Sequence, residues 1–268
     1  MSEEPARKPP RVLSIAGSDS SGGAGIQADL KTIAALGGYG MTAITAITAQ
    51  NTLGVEAVEP LSPDMVAAQI TACRSDIGVD AVKIGMLGSP EIAAAVEQAL
   101  DGSEAPVVFD PVMVATSGAV LADDATIAAF EPLMRRAMVL TPNLPELQAL
   151  TGSPCDGVEA LTEAALGLAK QYGCAVLAKG GHADGDRVID RLVFVDGETA
   201  FWDDPRIDTR HTHGTGCTLS SAIATLLGHG QDIRHSVTLA RRFVRGAIEA
   251  APGFGGGNGP LGHNGVRG

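Results

Sequence analysis

Aromatic residues make up only 3% of this 268-residue chain, so its core has to be built from Ala, Val, Leu and Ile. Basic residues are also few: 19 Lys and Arg against 31 Asp and Glu leave a net charge of −12 and a pI near 4.8. Binding nucleic acid requires a basic face, so no nucleic-acid partner is expected. An anionic small molecule would instead be held by local N–H groups and a few Lys or Arg. No apolar run approaches the roughly 20 residues that span a bilayer, which speaks against a membrane partner. Residues 1–10 are polar and proline-rich, without the apolar core of a signal peptide, and read as a loose tail. The cysteines Cys73, Cys155, Cys174 and Cys217 are scattered with no CxxC pair. That pattern argues against a disulfide framework or structural zinc and fits a reducing cytoplasm. With 45% hydrophobic residues and a mean hydropathy of +0.16 the chain can bury a large core. No internal repeat or linker divides it, so residues 11–268 are expected to form one domain.

What the chain does have is glycine, and the richest stretch for chemistry is residues 209–221, Thr-Arg-His-Thr-His-Gly-Thr-Gly-Cys-Thr-Leu-Ser-Ser. Leu219, Ala222, Ile223, Leu226 and Leu227 recur at helical spacing, so the loop is expected to turn into a helix near Cys217. Gly214 and Gly216 free the backbone for unusual conformations and close approach. The first turn then aims unsatisfied N–H groups and the positive end of the helix dipole at the glycines, an anion site. A thiol at such a helix start is expected to have its pKa lowered. The plainer reading is a glycine turn followed by a buried Cys.

Along the chain, short apolar runs alternate with helical patterns, which implies a mostly parallel α/β sheet covered on both faces. The first run, residues 12–16, ends in Gly17-Ser18-Asp19-Ser20-Ser21-Gly22-Gly23-Ala24-Gly25 and then a helix. No Gly-Lys-Ser/Thr closes it, so it is not a Walker A loop, and the dinucleotide spacing is missing too. Asp19 and Asp29 offer acceptors there. Residues 41–49 read as a buried strand ending at Gln50, whose amide can fork to a ring nitrogen and an amino group. Residues 63–77 read as a helix with Met65, Ala68, Ile70 and Ala72 inward. Strands are expected at 81–86, 106–113, 138–141 and 174–179, with helices at 90–100, 158–172 and 233–251. Asp110 closes one strand before Pro111, a place that favours a site over a core. Asn143 and Glu146 fall where a helix cap and first turn belong, which leaves capping or a metal-water or phosphate contact open. Lys179 enters Gly180-Gly181-His182, a cation beside glycines suited to polyphosphate. Residues 188–195 and 198–202 read as a hairpin turning at Asp196-Gly197. Arg241, Arg242 and Arg245 are expected to be solvated.

Gly17-Ser18-Asp19 through Lys31, Gln50-Asn51-Thr52, Lys83-Ile84-Gly85-Met86, Asp110-Pro111-Val112-Met113, Thr141-Pro142-Asn143-Leu144-Pro145-Glu146, Lys179-Gly180-Gly181-His182 and the 211–219 stretch occur in the order found in one family. Over residues 11–225 the chain resembles the hydroxymethylpyrimidine/phosphomethylpyrimidine kinases of thiamine biosynthesis, in the ribokinase-like superfamily. The resemblance implies a three-layer αβα sandwich that uses ATP and Mg²⁺ to phosphorylate 4-amino-5-hydroxymethyl-2-methylpyrimidine and then its monophosphate. It implies that Gly17, Asp29, Gln50, Met86 and Val112 hold the pyrimidine. Gly214, Thr215 and Gly216 would form the anion hole, and Cys217 the base. Lys179 would meet ATP phosphate, while Asp110, Asn143 and Glu146 serve phosphates. Asp110 and Glu146 would also serve magnesium, partly through water. A homodimer is implied as well. The tail departs from the family's Gly-His-Gly-x-Gly-Pro stretch at Gly256, where the first His is usual.

Three other readings compete. Pyridoxine and pyridoxal kinases share the fold, and some members of this Cys-bearing branch act on both rings. A non-catalytic pyrimidine or nucleotide sensor would keep the fold without turnover. His211, His213 and Cys217 are three potential metal ligands within seven residues.

Overall fold

The computed structural model describes residues 8–115, 118–182 and 185–266, so residues 1–7 of the expected tail lie outside the described residues. Nine strands form one sheet: β1 (Arg11–Asp19), β2 (Tyr39–Gln50), β3 (Val55–Pro60), β4 (Ala81–Ile84), β5 (Val107–Phe109), β6 (Val139–Leu140), β7 (Ala175–Ala178), β8 (Arg187–Val193) and β9 (Thr199–Pro205). Their order across the sheet is β3-β2-β1-β4-β5-β6-β7-β8-β9. The six strands from β2 to β7 in that order pair parallel, and β3, β8 and β9 add antiparallel edges.

The central strands are buried on both faces, which is why they read as unbroken apolar runs. Consecutive residues point to opposite faces. Leu13, Ile15, Val82, Ile84, Phe109, Leu140 and Val176 meet α2 (Pro63–Ala72), α3 (Pro90–Ala99), α5 (Glu131–Arg136), α6 (Leu144–Thr151) and α7 (Gly157–Tyr172) on one side. Val12, Ala81, Val108, Val139, Ala175 and Leu177 meet α1 (Gly25–Ala35), α8 (Thr215–Gly228) and α9 (Ile233–Glu249) on the other. The remaining helix, α4 (Asp124–Ala128), is short and capped by Asp123, whose side chain accepts from Thr126 N.

Because β1 connects to β2 on one side and its other neighbour is β4, the strand order reverses at β1. In such sheets the crevice for ligands opens at the carboxyl ends of the strands beside that reversal. The residues singled out in the sequence fall there because Gln50, Met86, Asp110, Asn143 and Lys179 each end or follow a parallel strand.

Several expectations change in detail. Strand β3 went unread, because its residues are almost all exposed and lack the apolar alternation that marks a strand. Only Val66 and Ile70 of α2 are buried; Met65, Ala68 and Ala72 face outward, and the helix ends in a π turn over Cys73–Ile77. Arg241 is not solvated: it is 7% exposed, and its guanidinium pairs with Asp190 at 2.7 Å and Asp204 at 2.8 Å. Arg245 donates to Pro205 O. The partners of Arg241 lie on β8 and β9, and no local pattern in α9 announces them.

Candidate active site

One cavity of about 990 Å³ runs along the carboxyl ends of the strands. Its wall includes Gly17, Gln50, Met86, Asp110, Val112, Asn143, Glu146, Lys179, Gly214, Thr215, Gly216 and Cys217. Asp29 is the exception among the expected residues. It is fully buried one layer behind the wall, where its oxygens accept from Lys83 Nζ, Ser14 Oγ and Ser221 Oγ. With its lone pairs committed to the core, Asp29 does not line the cavity; Lys83, its partner, does.

The centre of the wall is the start of α8. Gly214 caps the helix at φ 85°, and a side chain there would run into Gly23 O. This conformation is a glycine's. Gly216 differs from the expectation: its backbone is helical, and what it provides is closeness, since an added Cβ would stand 3.4 Å from both Asp110 Oδ2 and Lys179 Nζ. Thr215 directs its N–H to Thr212 O at 3.2 Å. The amides of Gly216 and Cys217 find no such carbonyl among the described residues. The amide of Gly214 finds none either, so of the expected Gly214–Gly216 trio only Thr215 has its N–H engaged, and Cys217 adds a further free donor at this helix start.

Cys217 is half-buried. Burial pushes its thiol up to about 11, against the pull of Lys83, with Asp29 and Asp110 adding to the rise. The expected lowering by the helix start is therefore outweighed: loss of hydration penalises the thiolate more than the dipole favours it.

Opposite the thiol, Lys179 Nζ donates to Asp110 Oδ1 at 2.7 Å and stands 3.9 Å from Glu146 Oε2. Thr141 Oγ1 also donates to Asp110 Oδ1, at 3.0 Å. Burial would lower the Lys179 ammonium, but Asp110 and Glu146 hold it above its ordinary value. Burial pushes Glu146 up to about 7, with Lys179 opposing and Asp110 reinforcing. Asn143 and Glu146 complete a capping box at the start of α6, Glu146 N to Asn143 Oδ1 at 2.9 Å and Asn143 N to Glu146 Oε2 at 2.8 Å. Capping is thus real, and the carboxyl group still borders the cavity.

The loop carrying Lys179 is fastened from behind. Gly180 N donates to Asp190 Oδ1 at 2.7 Å, and Asp190 is the carboxylate that Arg241 holds. At the far end of the cavity β8 and α9 contribute Val188, Val244 and Ile248 beside Arg206 and Arg241. Sequence reading gave no role to this end.

At the other end, His213 Nε2 lies 2.8 Å from Asp19 Oδ2 and 3.5 Å from Gln50 Nε2. Asp19 also accepts from the amides of Ser21, Gly23 and Ala24. Burial raises the Asp19 carboxyl, but the bond to His213 and the loop donors outweigh it and hold the group below its ordinary range. His213 is therefore a strut between the first loop and Gln50, and His211 packs beside Gly259. Gln50 Oε1 accepts from Thr48 Oγ1. The tail joins the same end: His213 N donates to Gly259 O, and Gly257 N donates to Thr52 Oγ1. Further on, His263 Nε2 meets Thr218 Oγ1 at 2.9 Å, and burial pushes that imidazole down to about 4.

The chain is similar to known proteins. Residues 19–262 match the phosphomethylpyrimidine kinase family. The hydroxymethylpyrimidine/phosphomethylpyrimidine kinase of Streptomyces coelicolor is 47% identical over 261 residues, covering 97% of this chain and 96% of the relative. A crystal structure of phosphomethylpyrimidine kinase from Clostridium difficile superposes with a TM-score of 0.78 at 42% identity, covering 89% of this chain and 99% of that one. An ADP complex of Bacillus subtilis pyridoxal kinase superposes with a TM-score of 0.88 at 34% identity, covering 96% and 98%. The ribokinase-like sandwich expected from the sequence is the fold of both solved structures, and the chain belongs to the phosphomethylpyrimidine kinase family.

Proposed function

We propose that the chain transfers the γ-phosphoryl group of ATP to the hydroxymethyl oxygen of 4-amino-5-hydroxymethyl-2-methylpyrimidine, and a second to the resulting monophosphate. The product is the pyrophosphate used in thiamine diphosphate biosynthesis. The observation that carries this reading is the convergence of the Cys217 thiol, the free amides at the start of α8 and the Lys179 ammonium on one cavity wall.

Phosphoryl transfer asks mainly for alignment and charge stabilisation. Gln50, with Gly17, Met86 and the backbone near Val112, holds the aminopyrimidine. Cys217 takes the proton of the attacking hydroxyl as the new P–O bond forms and the bond to the departing ADP oxygen breaks. The amides of Gly216 and Cys217 and the ammonium of Lys179 face the charge spread over the transferred oxygens. In the second step a phosphate oxygen of the monophosphate attacks in the same place.

Asp110 and Glu146 suit magnesium through water: both are carboxylates at the cavity wall, held in place by protein donors. Mg²⁺ held there would neutralise phosphate charge on ATP. The end near Val244 and Ile248, where aliphatic side chains stand beside Arg206 and Arg241, fits the nucleotide base. The exposed apolar residues Ile47, Leu53, Val58 and Phe254 lie around the β2–β3 edge and support a homodimer, which light scattering would test. Four scattered cysteines, all free and with no CxxC pair, support a cytoplasmic setting.

The test is ADP release with Mg-ATP and, separately, the hydroxymethylpyrimidine, its monophosphate, and pyridoxine or pyridoxal, with product masses recorded. Formation of both mono- and pyrophosphate is expected. The close superposition on a pyridoxal kinase favours turnover of the pyridine ring as the second activity. Turnover of the pyridine ring alone would move the chain to vitamin B6 salvage, and no turnover at all would leave a binding protein.

A further inference from the structure

Lys83 takes no part in the chemistry above, yet its position is an unusual one. It sits inside β4 among Val82 and Ile84, fully buried, where a charged side chain persists only when paired. Its Nζ donates to Asp29 Oδ2 at 2.9 Å, and Asp29 is fully buried as well. Ser14 Oγ donates to the same carboxylate at 2.6 Å, and Ser221 Oγ donates to Oδ1 at 2.6 Å. Ser221 lies one turn beyond Cys217 on α8, so the carboxylate, the ammonium and the thiol share one side of that helix. Lys83 and Cys217 border the same cavity. The N–H of Gly25, at the start of α1, also reaches the sulfur.

The charged groups that face the sulfur are Lys83 from β4, Asp29 from α1, Asp110 from the end of β5 and Lys179 from the end of β7. Of these Lys83 acts most strongly, and it favours the thiolate. Burial works against the ammonium, but Asp29 and Cys217 hold it charged. A pair built only for stability gains nothing from bordering a cavity beside a nucleophilic side chain, since a buried ion pair is often matched by apolar residues of similar size.

We propose that Lys83 is the charge partner of Cys217, fixed by Asp29, Ser14 and Ser221 so that its ammonium stabilises the thiolate that accepts the substrate's proton. It is a positioning residue that acts on the reaction only through the sulfur, and this role rests on Cys217 being the base. The proton balance is simple: the thiol gives its proton to solvent, the thiolate takes one from the substrate hydroxyl, and Lys83 stays protonated throughout.

The experiment is the rate of iodoacetamide alkylation at Cys217 against pH, resolved from the other cysteines by peptide mass. The variants are Asp29→Asn and the charge-neutral double variant Lys83→Met/Asp29→Asn. In the double variant the inflection is expected to rise by about one pH unit or more, with alkylation at pH 8 at least about tenfold slower. Asp29→Asn alone removes a carboxylate that opposes the thiolate, so its inflection is expected to fall, the opposite sign. Simple loosening of the site would move both variants the same way. An unchanged inflection in a folded double variant overturns the proposal. Should the double variant not fold, an Asp29→Asn inflection that stays put or rises overturns it. The rising limb of the kcat profile with the pyrimidine, which a base sets, is expected to move with the thiol. Normal turnover beside an unmoved thiol removes the role of Lys83 alone. A wild-type chain without turnover removes the kinase reading and leaves the thiol titration as it stands.

Discussion

Two lysine–aspartate pairs flank the start of α8, and they are built for different work. Lys83–Asp29 is sealed: both side chains are fully buried, and two serine hydroxyls complete the carboxylate. Lys179–Asp110 is open: the lysine side chain keeps 12% exposure, and a second carboxylate, Glu146, waits 3.9 Å away. A sealed pair cannot trade partners, so it can only hold position and project a fixed field. An open pair with an excess of negative charge can release its lysine to an incoming phosphate. The same two residue types are thus locked together in one place and free to exchange partners in the other, and water access decides which.

The sharpest way to break this contrast is Lys83→Met. It leaves Asp29 charged and buried, and is expected to lower unfolding free energy by about 3–5 kcal/mol, read from denaturant midpoints. Lys179→Met is expected to cost clearly less stability. If the two losses match, the distinction between sealed and open pairs fails. The kinetic counterpart runs the other way: Lys179→Met is expected to lower kcat by about 10²–10³-fold in the ADP-release assay. Cys217→Ala belongs beside it, with a fall of about 10²–10⁴-fold while ATP binding, measured by calorimetry, is spared.

Glu146 sharpens the contrast through pH. Its folded carboxyl sits at about 7 against an ordinary 4.5, because burial disfavours the charge. The folded state therefore binds the proton more tightly. The resulting stability is complete below pH 4.5 and is lost as pH rises through 7. Glu146→Gln keeps a capping-box residue but cannot ionise. Between pH 4.5 and 8 its melting curve is expected to gain on the wild type by up to about 3 kcal/mol. Ser14→Ala is expected to cost about 1.5–3 kcal/mol because a buried carboxylate loses a donor. Thr141→Val beside the open pair is expected to cost less, since Lys179 still holds the same oxygen.

Most of the sheet was legible because its parallel strands are apolar throughout and end in glycines, prolines or single polar residues. The start of α8 was legible for the same reason, a glycine turn running into helical periodicity. What escaped was non-local or quantitative. Arg241 finds Asp190 from 51 residues away, and nothing near it in sequence records the pairing. Asp29 looks like a loop acceptor until its turn of α1 rotates it inward beneath Lys83. The one legible hint there was a lysine within the apolar run Ala81-Val82-Lys83-Ile84. The Cys217 thiol shows the quantitative limit: the dipole that lowers a pKa is visible in the sequence, whereas the burial that outweighs it appears only in the packed molecule. Strand β3 lacked any pattern because both its faces meet solvent.

The contacts made by residues 257–263 set the order in which the site can be completed during synthesis. The first loop leaves the ribosome early, but Gly23 packs against Pro260 and the amide of His213 waits for Gly259 O. At typical translation speeds the 237 residues from Ala24 through Pro260 take roughly 12–50 s to make. Through that interval the loop that borders the cavity has no backstop. The nascent chain can thus pair most of its sheet before this end of the cavity is complete.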